Sequence, residues 1–546
     1  MPRKPSPRTL ATVFLLVSAT LSIVLLGVRN LYDDEISSLE IVTSTARDIL
    51  RFAAQRDVHP PGMYLLAHLA YSIIPSFRWM DLFPLLILYL GLTVFLFQVI
   101  PFFAHMRSQF FLLLLATLHP QLLMWSNTFR WYSWWTGIAL ITLTTALQPG
   151  NPTPTLSKSR SLTIGLMLAC LFYLNYITLL FALALSVAIL FRYRKQSWKI
   201  QLPSILITLG VFLTLIAPQL RTMFLVHLPN GRGQRSGHAD SFLRLLLSVS
   251  ASEAYLPWHP FAILAIVLSG ALSVCALIAL LRLYRNSRPE SSSGDANELS
   301  ATLASIILFG LLFFLLVAAS GLGGKPRNGL LLIPVLAPAI ALIAETLRPR
   351  AQNAILIFLS IWIGVGAAHL LGRYGLTKAT MNDRPEQVVA FIAQTSGSGC
   401  AIVVTYDATL AFSVAQADLP RVLIISPFPE STFGGFRRLP ANGCARTRLY
   451  AVQSYLGGDD TVSHTLNGEL HSATQFIESP PRTDSFSFDP DAARKRATVR
   501  IPRLHGDLAS AARLPDYRYV VTSGDFDQAN VEVMRKGLPH FLGGSE

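Results

Sequence analysis

Apolar residues run along the first two thirds of the chain in long uncharged blocks separated by short polar turns. That spacing predicts helices crossing a hydrocarbon core near 10–28, 82–104, 109–126, 133–148, 161–174, 176–191, 201–221, 261–281, 300–320, 330–347 and 353–371, about eleven spans in all. The 161–191 stretch is read as two helices, because one helix of that length would rise roughly 46 Å against a core of about 30 Å. Residues 62–75 are apolar but, at about 1.5 Å per residue, cover only about 21 Å, and His68 and Pro75 interrupt them. A helix lying in the interface or re-entering the membrane fits that segment.

From 372 the apolar runs shrink to strand length, at Ala401–Thr405, Arg421–Ile425, Arg448–Val452 and Tyr517–Thr522. Arg384–Thr395 reads as an amphipathic helix with Pro385 in its first turn, and the polar stretch from about 456 to 515 reads as loops. The expected architecture is an all-α polytopic membrane domain over 1–371 and a C-terminal extracytoplasmic α/β domain over 372–546.

Charge fixes the orientation. The turns on one side carry Arg3, Lys4 and Arg8, then Arg107, Lys158 and Arg160, Arg192 to Lys199, Arg282 to Arg288, and Arg348 and Arg350. Basic residues mark cytoplasmic loops, so the N-terminus is expected in the cytoplasm and everything after 371 outside. The net charge of +14 is then membrane orientation and needs no nucleic-acid partner. The first apolar run lacks a small-x-small cleavage site, which predicts an uncleaved signal-anchor. Cys170 and Cys275 fall in expected spans, whereas Cys400 and Cys444 fall in the outer domain, where a disulfide is compatible with an oxidising compartment. No Asn-x-Ser/Thr acceptor occurs once Asn151-Pro-Thr is set aside, which favours a bacterial inner membrane over an ER membrane.

The expected spans carry no charge in their central portions, which argues against a transporter or flippase that moves ions through mid-membrane groups. Polar side chains collect instead at the outer ends: Asp33-Asp34-Glu35 after the first span, His59-Pro60-Pro61, Arg78 before the second span, Arg130-Trp131-Tyr132, and Lys325-Pro326-Arg327. This ordered set, over about 30–350, resembles the GT-C superfamily of polyprenyl-phosphate-dependent glycosyltransferases. It is similar to the branch containing protein mannosyltransferases and aminoarabinose lipid A transferases. One departure is Gly62, where a bulky apolar residue more usually follows His-Pro-Pro.

The resemblance implies an inverting transfer of one sugar from a polyprenyl-phosphate donor to a glycan, lipid or protein acceptor. It makes an acid of the first outer loop the general base, by position Asp34, with Asp33 as the rival and Glu35 as a positioning group. A carboxylate in hydrogen-bond reach of a hydroxyl can take its proton as the new bond forms. The plain alternative is that these acids hydrate a loop or cap a helix starting near Ile36. Lys325, Arg327 and Arg130 are the candidates for the donor phosphate, on which charge grows as the sugar leaves; the alternative is headgroup anchoring in an aromatic belt. His59, Arg78 and Tyr132 complete the candidate substrate-binding set, and Arg78 paired with Asp81 is the simpler reading of that pair. No residues form a metal site by spacing, and a divalent metal is left open. The 223–260 loop reads either as a mobile lid or as a loop with an interfacial helix around Phe242–Val249. The rival functions are a lipid-linked-oligosaccharide ligase or polymerase, a transporter or flippase, and a membrane scaffold.

Overall fold

A computed structural model describes residues 5–28, 35, 38, 41–55, 59–76, 79–126, 128, 130–149, 156–194, 198–224, 237–250, 252, 278, 294–324, 326–371, 385–405, 410, 413–414, 417, 419, 422–425, 447–454, 497–502 and 517–526. The chain divides into two compact units, one of residues 1–28 and 45–377 and one of residues 29–44 and 378–546. Each unit is described by itself.

The first unit is helical. In chain order it contains α1 (Pro7–Val28), α2 (Ala46–Gln55), α3 (Gly62–Ile73), α4 (Leu82–Val99), α5 (Met106–Leu118), α6 (Pro120–Ser126), α7 (Trp131–Leu147), α8 (Lys158–Leu174), α9 (Thr178–Arg192), α10 (Trp198–Thr222), α11 (His238–Ser250), α12 (Gly294–Ala319), α13 (Leu332–Thr346) and α14 (Pro349–Leu371). Among the described residues six helical stretches are long and apolar enough to cross a membrane: Pro7–Gly27, Leu82–Phe102, Met106–Ser126, Gln201–Thr222, Ala301–Ala319 and Pro349–Ala368. Leu16, Leu86 and Ile361 on these stretches are more than 60% exposed, which suits helix faces turned to lipid. The protein is an integral membrane protein of this helical type. The expected spans near 133–148, 161–174, 176–191 and 330–347 coincide with shorter helices of 15 to 17 residues, and the one at 261–281 lies, but for residue 278, outside the described residues.

Local chemistry explains the breaks. The helix pair at 161–191 is split at Asn175, whose Oδ1 accepts the Ile177 amide at 2.9 Å and starts α9 afresh. Thr45 begins α2: its hydroxyl accepts the Asp48 amide at 3.3 Å and donates to the Asp48 carboxylate at 2.6 Å. α2 is amphipathic, with Ile49 and Ala53 buried and Arg47, Leu50 and Arg51 exposed. α3 has 12 residues, about 18 Å, too short to span. Gly62 opens it because a Cβ there would meet the Tyr173 carbonyl oxygen at 2.5 Å, so the close seat of α3 on the end of α8 accounts for the missing bulky residue. α4 and α7 cross where Gly91 and Gly137 face each other backbone to backbone, a contact only small residues permit.

Hydroxyls tie α1 into the bundle. Ser18 donates to the Thr117 carbonyl, Ser18 and Ser22 both hydrogen bond the Tyr89 hydroxyl, and Ser22 meets Ser126 Oγ at 3.0 Å. In an apolar surround these are contacts that fix depth and rotation, each worth about 0.6–2 kcal/mol.

In the second unit the described residues form α15 (Pro385–Ser396) and a five-stranded sheet of β1 (Cys400–Thr405), β2 (Val422–Ile425), β3 (Thr447–Ser454), β4 (Ala497–Pro502) and β5 (Tyr517–Phe526). The strand order is β2-β1-β3-β5-β4, with β1 parallel to β2 and β3, and β5 antiparallel to β3 and β4. β4 falls within the stretch read from sequence as loops. Its Ala-Thr-Val-Arg-Ile alternation is strand-like, but it is short and flanked by a long polar run, which hid it. α15 packs on β1 and β3, where Tyr450 is buried with its hydroxyl 2.8 Å from Thr395 Oγ1 and Arg448 donates to the Thr395 carbonyl at 3.0 Å. Burial pushes the Tyr450 phenol above its ordinary value. Cys400, which opens β1, is disulfide-bonded, and Cys170 is free.

Candidate functional site

The end of the helical unit that carries the Arg130 and Arg327 motifs is built from three segments. α6 ends at Ser126 and holds Trp125, α7 begins at Trp131 and holds Tyr132, and the tight turn Pro326–Gly329 precedes α13 and holds Arg327. One residue links the first pair: Ser133 Oγ donates to the Ser126 carbonyl at 2.7 Å and reaches the Trp125 carbonyl at 3.1 Å. Arg130 sits at the N-cap of α7 with extended backbone.

Into this corner the turn inserts Arg327. Its guanidinium lies 5.3 Å from the Trp125 ring centroid and 5.2 Å from that of Tyr132, and the two rings meet edge to face at 5.5 Å. Arg327 is only 9% exposed and Arg130 6%. Taking a guanidinium out of water costs several kcal/mol, and two aromatic faces return part of it, about 0.5–2 kcal/mol each. Both centroids stand within the roughly 6 Å reach of a cation–π contact.

The segments of this corner come from stretches of the chain without acidic residues. Between Asp81 and Asp240 the chain has no Asp or Glu and eleven Lys or Arg, and between Glu298 and Glu345 it again has no acid. Trp125, Tyr132 and Arg327 all lie in those two stretches.

The sequence-predicted residues therefore divide. Tyr132 and Arg327, remote in sequence, are brought together, with Arg130 at the start of the same helix. His59 lies half-buried in the bend before α3. Glu35 is helical and fully buried, which removes the reading of it as a loop-hydrating group. Asp33, Asp34, Arg78 and Lys325 lie outside the described residues. Asp81 is buried at the start of α4. Among the described residues no group of three or more His, Cys, Asp or Glu is placed to hold a metal ion.

Sequence reasoning missed Trp125, which shares Arg327 with Tyr132, and Gln121 one helical turn before it. The Gln121 amide donates to His119 Nδ1 at 3.2 Å, and Gln121 Oε1 accepts from Ser252 Oγ at 3.0 Å. The signal for Trp125 was its place at the outer end of an apolar run, the same signal as for the Arg-x-Tyr motif.

No protein-family model matches the chain, and no curated protein matches it in sequence. Among solved structures, ArnT from Cupriavidus metallidurans in the apo state matches over 94% of this chain and 97% of its own, with a TM-score of 0.51 and 16% identity. ArnT bound to undecaprenyl phosphate matches over the same shares with 14% identity and a TM-score of 0.49. The chain thus shares the fold of that ArnT structure along nearly its full length.

Proposed function

We propose that the protein is an inverting glycosyltransferase of the inner membrane that moves one sugar from a polyprenyl-phosphate donor to an acceptor at the outer face. The observation that carries this reading is Arg327, buried between Trp125 and Tyr132, on a fold shared with ArnT. The proposed arrangement has eleven spans, a cytoplasmic N-terminus and an extracytoplasmic domain over 372–546.

In the proposed reaction an acceptor hydroxyl attacks the anomeric carbon as its proton passes to Asp34. The bond from that carbon to the donor phosphate oxygen breaks, the electron pair stays on the phosphate, and the configuration inverts. Asp33 is the alternative base and Glu35 a positioning group. Arg327 and Lys325 take the growing phosphate charge, with Arg130 next to them in role and His59 and Arg78 as further donor contacts. A carboxylate base is worth about 10²–10⁴ in rate. Phosphate departs without a dedicated acid.

The test incubates the purified chain with a panel of labelled polyprenyl-phosphate sugars and separates the products. Transfer from one monosaccharide donor, lost in Asp34→Asn while donor binding persists, is the expected result. A preference for lipid-linked oligosaccharides would replace this reading with the ligase, and no turnover of any donor together with unchanged binding in Arg327→Ala would reject it.

A further inference from the structure

The 238–252 segment touches both sides of the Arg327 cage. On α11, Ser241, Leu245 and Val249 recur every four residues and form one stripe facing the turn that carries Arg327. A Cβ on Gly323 would stand 2.6 Å from both the carbonyl oxygen and Oγ of Ser241. A Cβ on Gly329 would stand 2.5 Å from Leu245 Cδ1 and 3.4 Å from Val249 Cγ2. Neither glycine has a left-handed φ, so space and not backbone freedom demands them. Leu245 and Ser241 are fully buried there.

The far end of the same segment is tied to the opposite wall. After α11 the backbone turns through Ser252 at φ 85°, with the Ser252 amide donating to the Leu247 carbonyl at 3.1 Å. That left-handed residue aims its hydroxyl at Gln121, one turn of α6 before Trp125. A non-glycine residue held at positive φ carries local strain, and here the hydrogen bond to Gln121 accompanies it.

We infer that α11 is the positioning element of the cage: seated on Gly323 and Gly329 through Ser241 and Leu245, and hooked to α6 through Ser252, it sets the orientation of Arg327. The inference rests on the reading of Arg327 as a phosphate ligand only for its consequence, a loss of donor affinity. The orientation itself is a property of the free protein. Gly323 and Gly329 are therefore positioning residues that touch no substrate, and a lid reading of this segment gives way to a docked brace.

The two glycines separate this role from plain packing. At Gly323 the obstacle is backbone, so Gly323→Ala must push α11 off the turn. At Gly329 the obstacle is the end of one side chain, so Gly329→Ala should be relieved by Leu245→Ala, although removing Leu245 opens a cavity and lowers stability. The experiment follows Arg327 directly, by the rate at which phenylglyoxal modifies it in the full-length protein in detergent, mapped by mass spectrometry. Binding of undecaprenyl phosphate and melting temperature are measured alongside.

Gly323→Ala is expected to speed modification of Arg327 and weaken undecaprenyl phosphate binding about five- to thirty-fold. Gly329→Ala should do the same more mildly, and Gly329→Ala/Leu245→Ala should return both readouts toward wild type while melting lowest of all. Should Gly323→Ala fail to insert, the Gly329 pair decides alone. Unchanged Arg327 reactivity in the glycine variants, or a double variant whose reactivity worsens in step with its melting temperature, would overturn the inference. Reactivity that shifts as expected while even wild type fails to bind undecaprenyl phosphate would leave the brace standing and refute the proposed function.

Discussion

The cage around Arg327 makes a graded prediction at Tyr132. Replacement by Leu removes one of two aromatic faces while keeping a buried apolar side chain of similar reach, and replacement by Phe keeps the face and removes only the hydroxyl. The ring centroid stands 5.2 Å from the guanidinium, within the range where a desolvated cation–π contact contributes about 1–2 kcal/mol. Tyr132 is 2% exposed, so solvent screening discounts that figure little. Losing it should reduce affinity for a polyprenyl phosphate about five- to thirty-fold. Trp125 at 5.3 Å should behave in parallel, with Trp125→Leu near Tyr132→Leu and Trp125→Phe milder than either. Because the two rings also touch each other at 5.5 Å, the double Leu variant should lose less than the product of the single losses.

Titration of undecaprenyl phosphate into detergent-solubilised protein, followed by thermophoresis, gives the affinities, and a melting curve controls for loss of fold. Tyr132→Phe should stay within about threefold of wild type, since it keeps the aromatic face on which the cation–π term depends. If Tyr132→Phe is as damaging as Tyr132→Leu, the hydroxyl and not the face matters, and the cage argument fails. If Tyr132→Leu binds as wild type does, Arg327 is held by something else or does not bind the donor. Arg327→Lys adds a check: it keeps the charge but gives up the planar fork, so it should bind more weakly than wild type and more tightly than Arg327→Ala.

Other predictions are simpler. Asp34→Asn should slow turnover about 10²–10⁴-fold with donor binding kept, and Asp33→Asn should be milder; the reverse order moves the base to Asp33. Alkaline phosphatase fused after residue 400 should be active and a cytosolic reporter inactive there, and the opposite pair would invert the proposed orientation. Since Cys400 is bonded and β1 pairs Cys400 with Thr447, three residues after Cys444, the partner should be Cys444. Cys444→Ser should then free one thiol to alkylation without reductant, and an unchanged thiol count would exclude that pairing.

What could be read from the sequence was whatever rests on local periodicity or on the membrane. Apolar blocks of fixed length gave most of the helices, because a hydrocarbon slab sets their length, and the same limit required a break between α8 and α9, which the structure places at Asn175. Arg327 and Tyr132 were legible one by one, as polar or aromatic groups at outer helix ends. Their pairing was not, since 195 residues of chain separate them and no local pattern records which helices meet. The strand β4 escaped for a related reason: a short edge strand is fixed by its neighbour β5 more than by its own alternation.

The glycines show the limit most clearly. Gly323 is one of three glycines in the Gly-Leu-Gly-Gly stretch 321–324, not singled out from the sequence, and Gly62 is a departure from an expected bulky residue. In both places the missing side chain is an imprint of another element: the Ser241 backbone in one case, the Tyr173 carbonyl in the other. A glycine needed for its φ announces itself through turn chemistry, whereas a glycine needed for space is defined by a neighbour far along the chain. That neighbour, α11 at Gly323, lies in a loop whose apolar stretch read equally well as lid or as interfacial helix. Only the spacing of Ser241, Leu245 and Val249 against two glycines distinguishes a brace from a flap, and that spacing becomes meaningful once both partners are in place.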